Sequence, residues 1–92
     1  MIKSFKCADT ETLFKGKRVK RFVNFERAAL RKLEQLDLAQ IIDDMRAPPG
    51  NRLEALKGDC AGQWSVRIND QWRVCFRFKN GEALDVEIVD YH

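Results

Sequence analysis

Three arginines, Arg67, Arg73 and Arg77, lie in segments where apolar and polar residues alternate, the pattern of a β-strand with one buried face. Alternation places Arg73 and Arg77 on the face opposite the apolar residues, and the neighbouring strand can add Arg67 to it. Cross-strand neighbours stand about 5 Å apart, so three like charges repel one another unless an anion joins them. The pattern favours a phosphate-binding face, with ion pairs to Asp85 and Glu87 as the alternative.

A second group of reactive side chains, Asp90-Tyr91-His92, directly follows the last predicted strand. An imidazole titrates near neutrality and can transfer protons at physiological pH. Pairing of the preceding strand can hold these groups against the sheet, whereas a terminal segment by itself is commonly mobile. The group is therefore a candidate for acid–base chemistry.

Positive charge is concentrated in the first third of the chain. Residues 1–32 carry ten Lys and Arg and three acids (10 − 3 = +7), whereas residues 33–92 carry seven and eleven (7 − 11 = −4). The densest block comprises Lys15, Lys17, Arg18, Lys20 and Arg21. Such a block attracts phosphates at long range, although a solvated surface or an acidic protein partner would suit it equally well.

The length of 92 residues predicts one small domain, residues 1–92, without a large cofactor cleft. The three cysteines, Cys7, Cys60 and Cys75, form no CxxC pair, and His92 is the single histidine, so we expect reduced thiols and no metal site. No apolar run approaches about 18 residues, and the first residues do not resemble a signal peptide. We therefore expect a cytoplasmic protein that does not interact with membranes.

The first half of the chain predicts a short strand followed by helices. Residues 2–5 alternate as in a strand, and Asp9 or Thr10 can cap a helix that ends near Gly16. Asn24 is a plausible cap for a helix with Phe25, Ala29, Leu33 and Leu36 on one face. A further start near Asp37 leads to Pro48-Pro49-Gly50, where helix must stop.

The second half predicts strands with one apolar face each. Trp64, Val66 and Ile68 alternate with polar residues, and so do Trp72, Val74, Phe76 and Phe78 and, in the last strand, Leu84, Val86 and Ile88. Asn80-Gly81 is a strong hairpin signal. Their parity marks Trp64 and Trp72 as core residues rather than platforms for base stacking. The expected fold is α+β, an antiparallel four- to five-stranded sheet with two or three N-terminal helices packed on one face.

Several short strings, in this order, resemble those of HigB-type toxins of bacterial toxin–antitoxin modules, in the RelE/ParE superfamily, also called plasmid maintenance killer proteins. The resemblance covers essentially the whole chain. The strings are Pro48-Pro49-Gly50-Asn51-Arg52-Leu53, Leu56-Lys57-Gly58, Gly62-Gln63-Trp64-Ser65, Asn69-Asp70-Gln71-Trp72-Arg73 and Asp90-Tyr91-His92.

The resemblance implies a RelE-like, microbial-ribonuclease-like fold and cleavage of mRNA in the ribosomal A site without a metal or other cofactor. It implies that the catalytic residues are Lys57, Arg73, Asp90, Tyr91 and His92. We expect Arg73 to hold the scissile phosphate, Lys57 to add a second cation, Asp90 and His92 to share proton transfer, and Tyr91 to stack on a base. Which of Asp90 and His92 is the acid stays open.

One position departs from the family pattern. A relative of this type carries a histidine where this chain has Glu54, and a carboxylate can act as a base but cannot supply a protonated imidazole near neutral pH. Glu54, Arg67 and Arg77 are expected to bind substrate, and the block Lys15–Arg21 is expected to contact ribosomal RNA.

The implied partners are an antitoxin with a helix-turn-helix (HigA-like), the ribosome and mRNA, and operator DNA through the antitoxin only. The alternative functions are a non-catalytic module that binds RNA or gyrase, and a toxin fold of weak activity that serves as co-repressor with its antitoxin.

Overall fold

Four antiparallel strands form one sheet in the order β1-β2-β3-β4. The structure is a computed structural model that describes residues 1–90, with the backbone alone at Cys60. The strands are β1 (Glu54–Ala55), β2 (Trp64–Arg67), β3 (Trp72–Lys79) and β4 (Glu82–Asp90). The turn at Asn80-Gly81, where both residues have positive φ, joins β3 to β4 as the sequence predicts.

One face of this sheet is the core face. Val66, Val74 and Phe76 are fully buried there, and Trp64 and Trp72 pack against the same cluster, which confirms the predicted alternation. Each such aliphatic or aromatic side chain stabilises the fold by about 1.5–3 kcal/mol through removal from water.

Two helices, α1 (Ala8–Phe14) and α2 (Glu26–Leu38), pack on the core face. Ala29, Leu33 and Leu36 of α2 are fully buried, as the helical spacing predicts. A 3₁₀ helix, Lys20–Phe25, leads directly into α2.

The predicted helix caps are wrong. Helix α1 begins after Cys7, and the buried Thr10 hydroxyl does not cap it but accepts a hydrogen bond from the Ile88 backbone N–H of β4 (3.0 Å). Helix α2 begins after Phe25 rather than Asn24, since the preceding 3₁₀ turn already contains Asn24.

Two further 3₁₀ turns, Ile42–Met45 and Pro49–Asn51, connect α2 to β1. The fully buried Asn51 anchors this connection, because its Nδ2 donates to the backbone oxygens of Met45 (3.0 Å) and Ala47 (3.2 Å), and its Oδ1 accepts from Lys32 Nζ. These bonds fix the segment that enters β1.

Residues 1–6 run parallel to β4 along its outer edge. Lys3 N–H donates to the Ala83 carbonyl (2.7 Å) and Lys6 N–H to the Val86 carbonyl (3.0 Å), with bridges at Ile2 and Phe5. These two bridges are isolated and parallel, so the strand predicted for residues 2–5 of an antiparallel sheet does not form, and the sheet has four strands.

A bulge interrupts the pairing of β3 with β4. Asp85, with φ of +53°, is the extra residue of β4 opposite Phe76. The bulge reverses the alternation of β4, so Ala83 is buried in the core and the predicted core residue Leu84 is not. Strand β1 is only two residues long.

Among residues 1–90, no helix is long and apolar enough to cross a lipid bilayer.

Candidate active site on the open face of the sheet

Arg73, near the start of β3, lies on the open face, the face of the sheet opposite the helices. Its Nη1 donates to Glu54 Oε1 at 2.9 Å and to Ser65 Oγ at 2.6 Å. The Arg73 side chain is only 8% exposed, whereas the Glu54 side chain is 53% exposed. The guanidinium is therefore held in place, while its carboxylate partner lies at the edge of solvent.

The strand register explains why these three residues meet. Glu54 of β1 pairs with Ser65 of β2, and Ser65 pairs with Cys75 of β3, so the side chains of this row share the open face. Arg73 lies two residues before Cys75 on the same face, and a diagonal neighbour at this spacing is within reach of a long side chain. Strand β1 thus brings Glu54 to Arg73.

Arg67 is the direct cross-strand partner of Arg73, which confirms that the two share a face. Arg67 forms an ion pair with Asp70 of the following turn, whose side chain is 97% exposed. Salt bridges at this exposure contribute little, because both ions remain solvated.

Arg77 occupies the same face further along β3. Its Nε lies 3.6 Å from Asp85 Oδ2, and its Nη1 lies 2.9 Å from where a Cβ at Gly62 would stand. Gly62, with φ of +90°, therefore leaves the space that Arg77 occupies.

The three arginines expected to join around one anion each have a carboxylate partner on the described chain. Of the two acids considered as alternatives, Asp85 pairs with Arg77, and Glu87 lies 3.6 Å from Lys6. Glu54 and Asp70, the partners of Arg73 and Arg67, were not expected as such. The open face alternates cation with carboxylate and carries no uncompensated triple charge.

Lys57 and Asp90 lie at the margins of this arrangement. Lys57 is exposed one residue beyond the last backbone bond between β1 and β2, Leu56 N to Gln63 O (2.8 Å). Asp90 pairs with Trp72, the neighbour of Arg73, and accepts a hydrogen bond from Gln71 Nε2 (3.1 Å). The predicted gathering of Lys57, Arg73 and Asp90 at one point stays a prediction. Tyr91 and His92 lie outside the described residues.

The basic block is on the helical side of the molecule, between α1 and α2. Three of its cations form ion pairs: Lys15 with Glu11, Arg18 with Glu26, and Arg21 with Asp9. Lys17 and Lys20 are exposed. The three ion pairs of the block are thus made with acids of α1 and α2.

Sequence reasoning did not single out Ser65. The alternation of β2 does place the Ser65 hydroxyl on the arginine face, but its full burial and its bond to Arg73 arise only in the folded sheet. In the described part of the chain no group of three or more His, Cys, Asp or Glu side chains is arranged to hold a metal ion.

Known proteins resemble this chain in sequence. The chain is 48% identical over 62 residues to the toxin HigB-1 of Vibrio cholerae, and 37% identical over 61 residues to the endoribonuclease HigB of Proteus vulgaris. These matches cover 67% and 66% of this chain and 65% of each relative. The chain thus spans less than two thirds of the length of these curated relatives.

Solved structures resemble the whole fold. The toxin–antitoxin complex YoeB–YefM from Staphylococcus aureus matches with a TM-score of 0.58 at 16% identity, over 100% of this chain and 98% of that chain. A YafQ variant from E. coli matches with a TM-score of 0.54 at 10% identity, over 98% and 93% of the two chains. These likenesses confirm the expected α+β fold, an antiparallel sheet with helices packed on one face.

Residues 3–92 match the family described as the RelE-like toxin of type II toxin–antitoxin system HigB. Both the sequence relatives and the fold agree with that match, and the chain belongs to the HigB-like toxin family.

Proposed function

We propose that this chain is the toxin of a type II toxin–antitoxin system and acts as an endoribonuclease that cleaves mRNA in the ribosomal A site. The observation that carries the proposal is the fixed Arg73 guanidinium on the open face, held by Glu54 and Ser65. The name of the Proteus vulgaris relative, an endoribonuclease, supports the reaction class.

RNA carries its own nucleophile, the 2′-hydroxyl beside the scissile phosphate. Cleavage removes the proton of this hydroxyl, forms a bond from its oxygen to phosphorus, and breaks the bond to the 5′-oxygen, which takes up a proton. The phosphate gains negative charge during the reaction. A fixed cation at that charge lowers the barrier most, because it needs no reorganisation, and such an interaction is worth about 10²–10³ in rate.

Arg73 suits this role because its position is already set. Ser65, itself fully buried, and the pairing of β2 with β3 hold the guanidinium at the face. A guanidinium binds carboxylate and phosphate oxygens in the same forked geometry. Glu54 therefore marks where the scissile phosphate binds, and the phosphate takes the place of the half-exposed Glu54 carboxylate on Arg73.

Further side chains complete the proposed reaction. Lys57 supplies a second cation, Asp90 and His92 share the two proton transfers, and Tyr91 stacks on a base. Arg67 and Arg77 bind flanking phosphates after releasing Asp70 and Asp85, because exposed ion pairs of this kind are worth about 0–1 kcal/mol. Displaced Glu54 remains beside the phosphate, where a relative of this type has a histidine.

The ribosome supplies the orientation of the substrate. A surface as small as that of a 92-residue domain does not by itself hold an mRNA in the geometry of reaction, so that geometry must come from a larger template. The exposed Lys17 and Lys20 and the rest of the block Lys15–Arg21 contact ribosomal RNA in this proposal. Activity occurs in the cytoplasm, where translating ribosomes are found.

The partner that restrains the toxin is an antitoxin. Solved complexes of YoeB with YefM, which share this fold, support a protein partner of that kind. We propose a HigA-like antitoxin with a helix-turn-helix, through which the complex binds operator DNA.

The decisive experiment maps mRNA 5′ ends after induction of wild type, Arg73→Ala and Lys79→Ala. Lys79 is an exposed cation at the far end of β3 and serves as the matched control. We expect new ends within translated messages for wild type and Lys79→Ala and none for Arg73→Ala. Growth arrest without new ends would instead identify a non-catalytic toxin that binds RNA or gyrase.

A further inference from the structure

A groove of about 390 Å³ lies between the start of α2 and the turn that joins β2 to β3. We call it the α2 groove. Its polar lining includes Asn24, Arg27 and Arg31 from the helical side and Asn69 from the turn. Arg27 and Arg31 are both exposed and stand one helical turn apart.

Among the described residues, no carboxylate pairs with the two arginines that line the α2 groove. Glu26 lines the groove, but its Oε1 accepts from Arg18 Nη2 at 3.1 Å. Within residues 1–90, neither Arg27 nor Arg31 has a carboxylate within ion-pair distance, in contrast to the three arginines of the open face. Like charges one turn apart destabilise a helix unless an anion joins them.

The positive field extends along the helix. Lys32 follows Arg31, and burial together with the charge of Arg31 lowers the pKa of Lys32 below its ordinary value. An anion in the α2 groove would relieve this repulsion.

The α2 groove lies at the end of the sheet that carries Arg73, on the side of the helices. Phe25, in the groove wall, stacks on Trp72 with ring centroids 5.0 Å apart. Asn69 Oδ1 accepts from the backbone N–H of Trp72 at 2.8 Å, and Trp72 is the neighbour of Arg73 and the partner of Asp90. Trp72 faces the core and Arg73 faces the open side, so an RNA strand that leaves Arg73 reaches the groove by passing around the β2–β3 turn at the end of the sheet.

We infer that the α2 groove binds backbone phosphates of the RNA strand whose scissile linkage lies at Arg73. The inference rests on the proposed function and extends the substrate site from the sheet onto α2 through Arg27 and Arg31. The groove and Arg73 lie at the same end of the sheet. An RNA strand bound at Arg73 can therefore extend to the groove, and for this reason we favour RNA over an acidic polypeptide as the ligand.

The test measures binding of a short 2′-O-methyl oligoribonucleotide, which lacks the nucleophilic hydroxyl and stays intact, at several salt concentrations. The variant Arg27→Ala/Arg31→Ala should weaken binding and reduce the slope of log K against log salt by about 1.4, since each phosphate that a cation neutralises on a single strand adds about 0.7 to the slope. Arg27→Lys/Arg31→Lys keeps both charges and should keep the slope.

The matched control is Lys3→Ala/Lys79→Ala, which removes two exposed charges near the β3–β4 hairpin and should leave the slope near that of wild type. An unchanged slope in Arg27→Ala/Arg31→Ala, or an equal reduction in the control, overturns the inference. Weaker binding of poly-L-glutamate with unchanged RNA binding also overturns it and makes the groove a protein-docking site.

Failure of this inference differs from failure of the proposed function. If wild type leaves mRNA uncut while the slope falls only in Arg27→Ala/Arg31→Ala, the RNA groove stands and the nuclease proposal is wrong. If mRNA is cut and the salt slope of Arg27→Ala/Arg31→Ala equals that of wild type, the nuclease proposal holds and the groove does not bind RNA.

Discussion

Glu54 and Arg73 form an ion pair whose two partners differ strongly in exposure, 53% against 8% of the side chain. The Arg73 guanidinium is held by its surroundings. The Glu54 carboxylate is half exposed, so breaking its ion pair with Arg73 costs little free energy. In the proposed reaction the phosphate thus meets a preformed cation, and its exchange with Glu54 moves little of the protein.

Replacement of Arg73 by lysine tests the forked geometry separately from the charge. Lysine keeps the charge but cannot present a planar fork to two oxygens. We expect cleavage in a translation extract to slow by about 10²–10³. Urea unfolding of the same variant should show a folded protein, and a rate within a few-fold of wild type would contradict the assigned role.

Glu54→Gln tests whether the carboxylate competes with phosphate. Glutamine has nearly the same volume but no charge, so the phosphate no longer displaces an anion from Arg73. Binding of 2′-O-methyl RNA should tighten by up to about fivefold, the equivalent of an exposed ion pair of about 1 kcal/mol. Glu82→Gln removes the same charge beside Lys3 and is the control; equal tightening there would mean that only net charge matters.

Asp44 gives the stability of the fold a dependence on pH. Its Oδ2 accepts from the backbone N–H groups of Gln40 (2.9 Å) and Ile41 (3.2 Å), and these bonds lower the pKa of Asp44 from its ordinary value of 3.8. A lowered carboxyl pKa stabilises the fold above the unfolded value, and the gain is lost as pH falls through the folded value. Wild type should therefore exceed Asp44→Asn in urea midpoint at neutral pH.

The difference should close in acid, where both carry a neutral side chain at position 44. Asp43→Asn is the control, because the Asp43 carboxylate accepts from Arg46 Nε (2.7 Å) rather than from the backbone at the start of the turn. If the difference in urea midpoint between wild type and Asp44→Asn is the same at neutral and acidic pH, the prediction is wrong.

Because of the bulge at Asp85, we expect Asp85→Asn and Asp85→Val to differ in stability. Both Asp85→Asn and Asp85→Val remove the ion pair with Arg77, but asparagine tolerates the left-handed backbone at φ of +53° and valine does not. Asp85→Val should be less stable than Asp85→Asn by about 1–2 kcal/mol in urea unfolding. Equal stabilities would mean that the strand straightens without cost.

Periodicity predicted the sheet, because alternation is a local property that one face of burial imposes on β2 and β3. It failed at Leu84, because a bulge is set by the pairing of two strands and shifts every residue on one side of it. The helix caps failed for a similar reason: Thr10 has a suitable hydroxyl, but the backbone of β4 uses it.

The candidate site was only partly readable from the sequence. Alternation placed Arg67 and Arg73 on one face, which the register confirms. The burial of Arg73 depends on Glu54 and Ser65, and the two-residue strand β1 that supplies Glu54 has no periodicity to detect. Interactions between distant segments of this kind leave no pattern in the local sequence.

The segment 1–6 that runs along β4 has a consequence for association between molecules. An uncovered strand edge offers unpaired N–H and C=O groups, onto which another polypeptide can add and begin to aggregate. Here Lys3 and Lys6 already bind the outer carbonyls of β4, and the opposite edge is β1, only two residues long. The sheet is thereby protected from intermolecular strand addition along Ala83–Val86 of β4 and at the short β1.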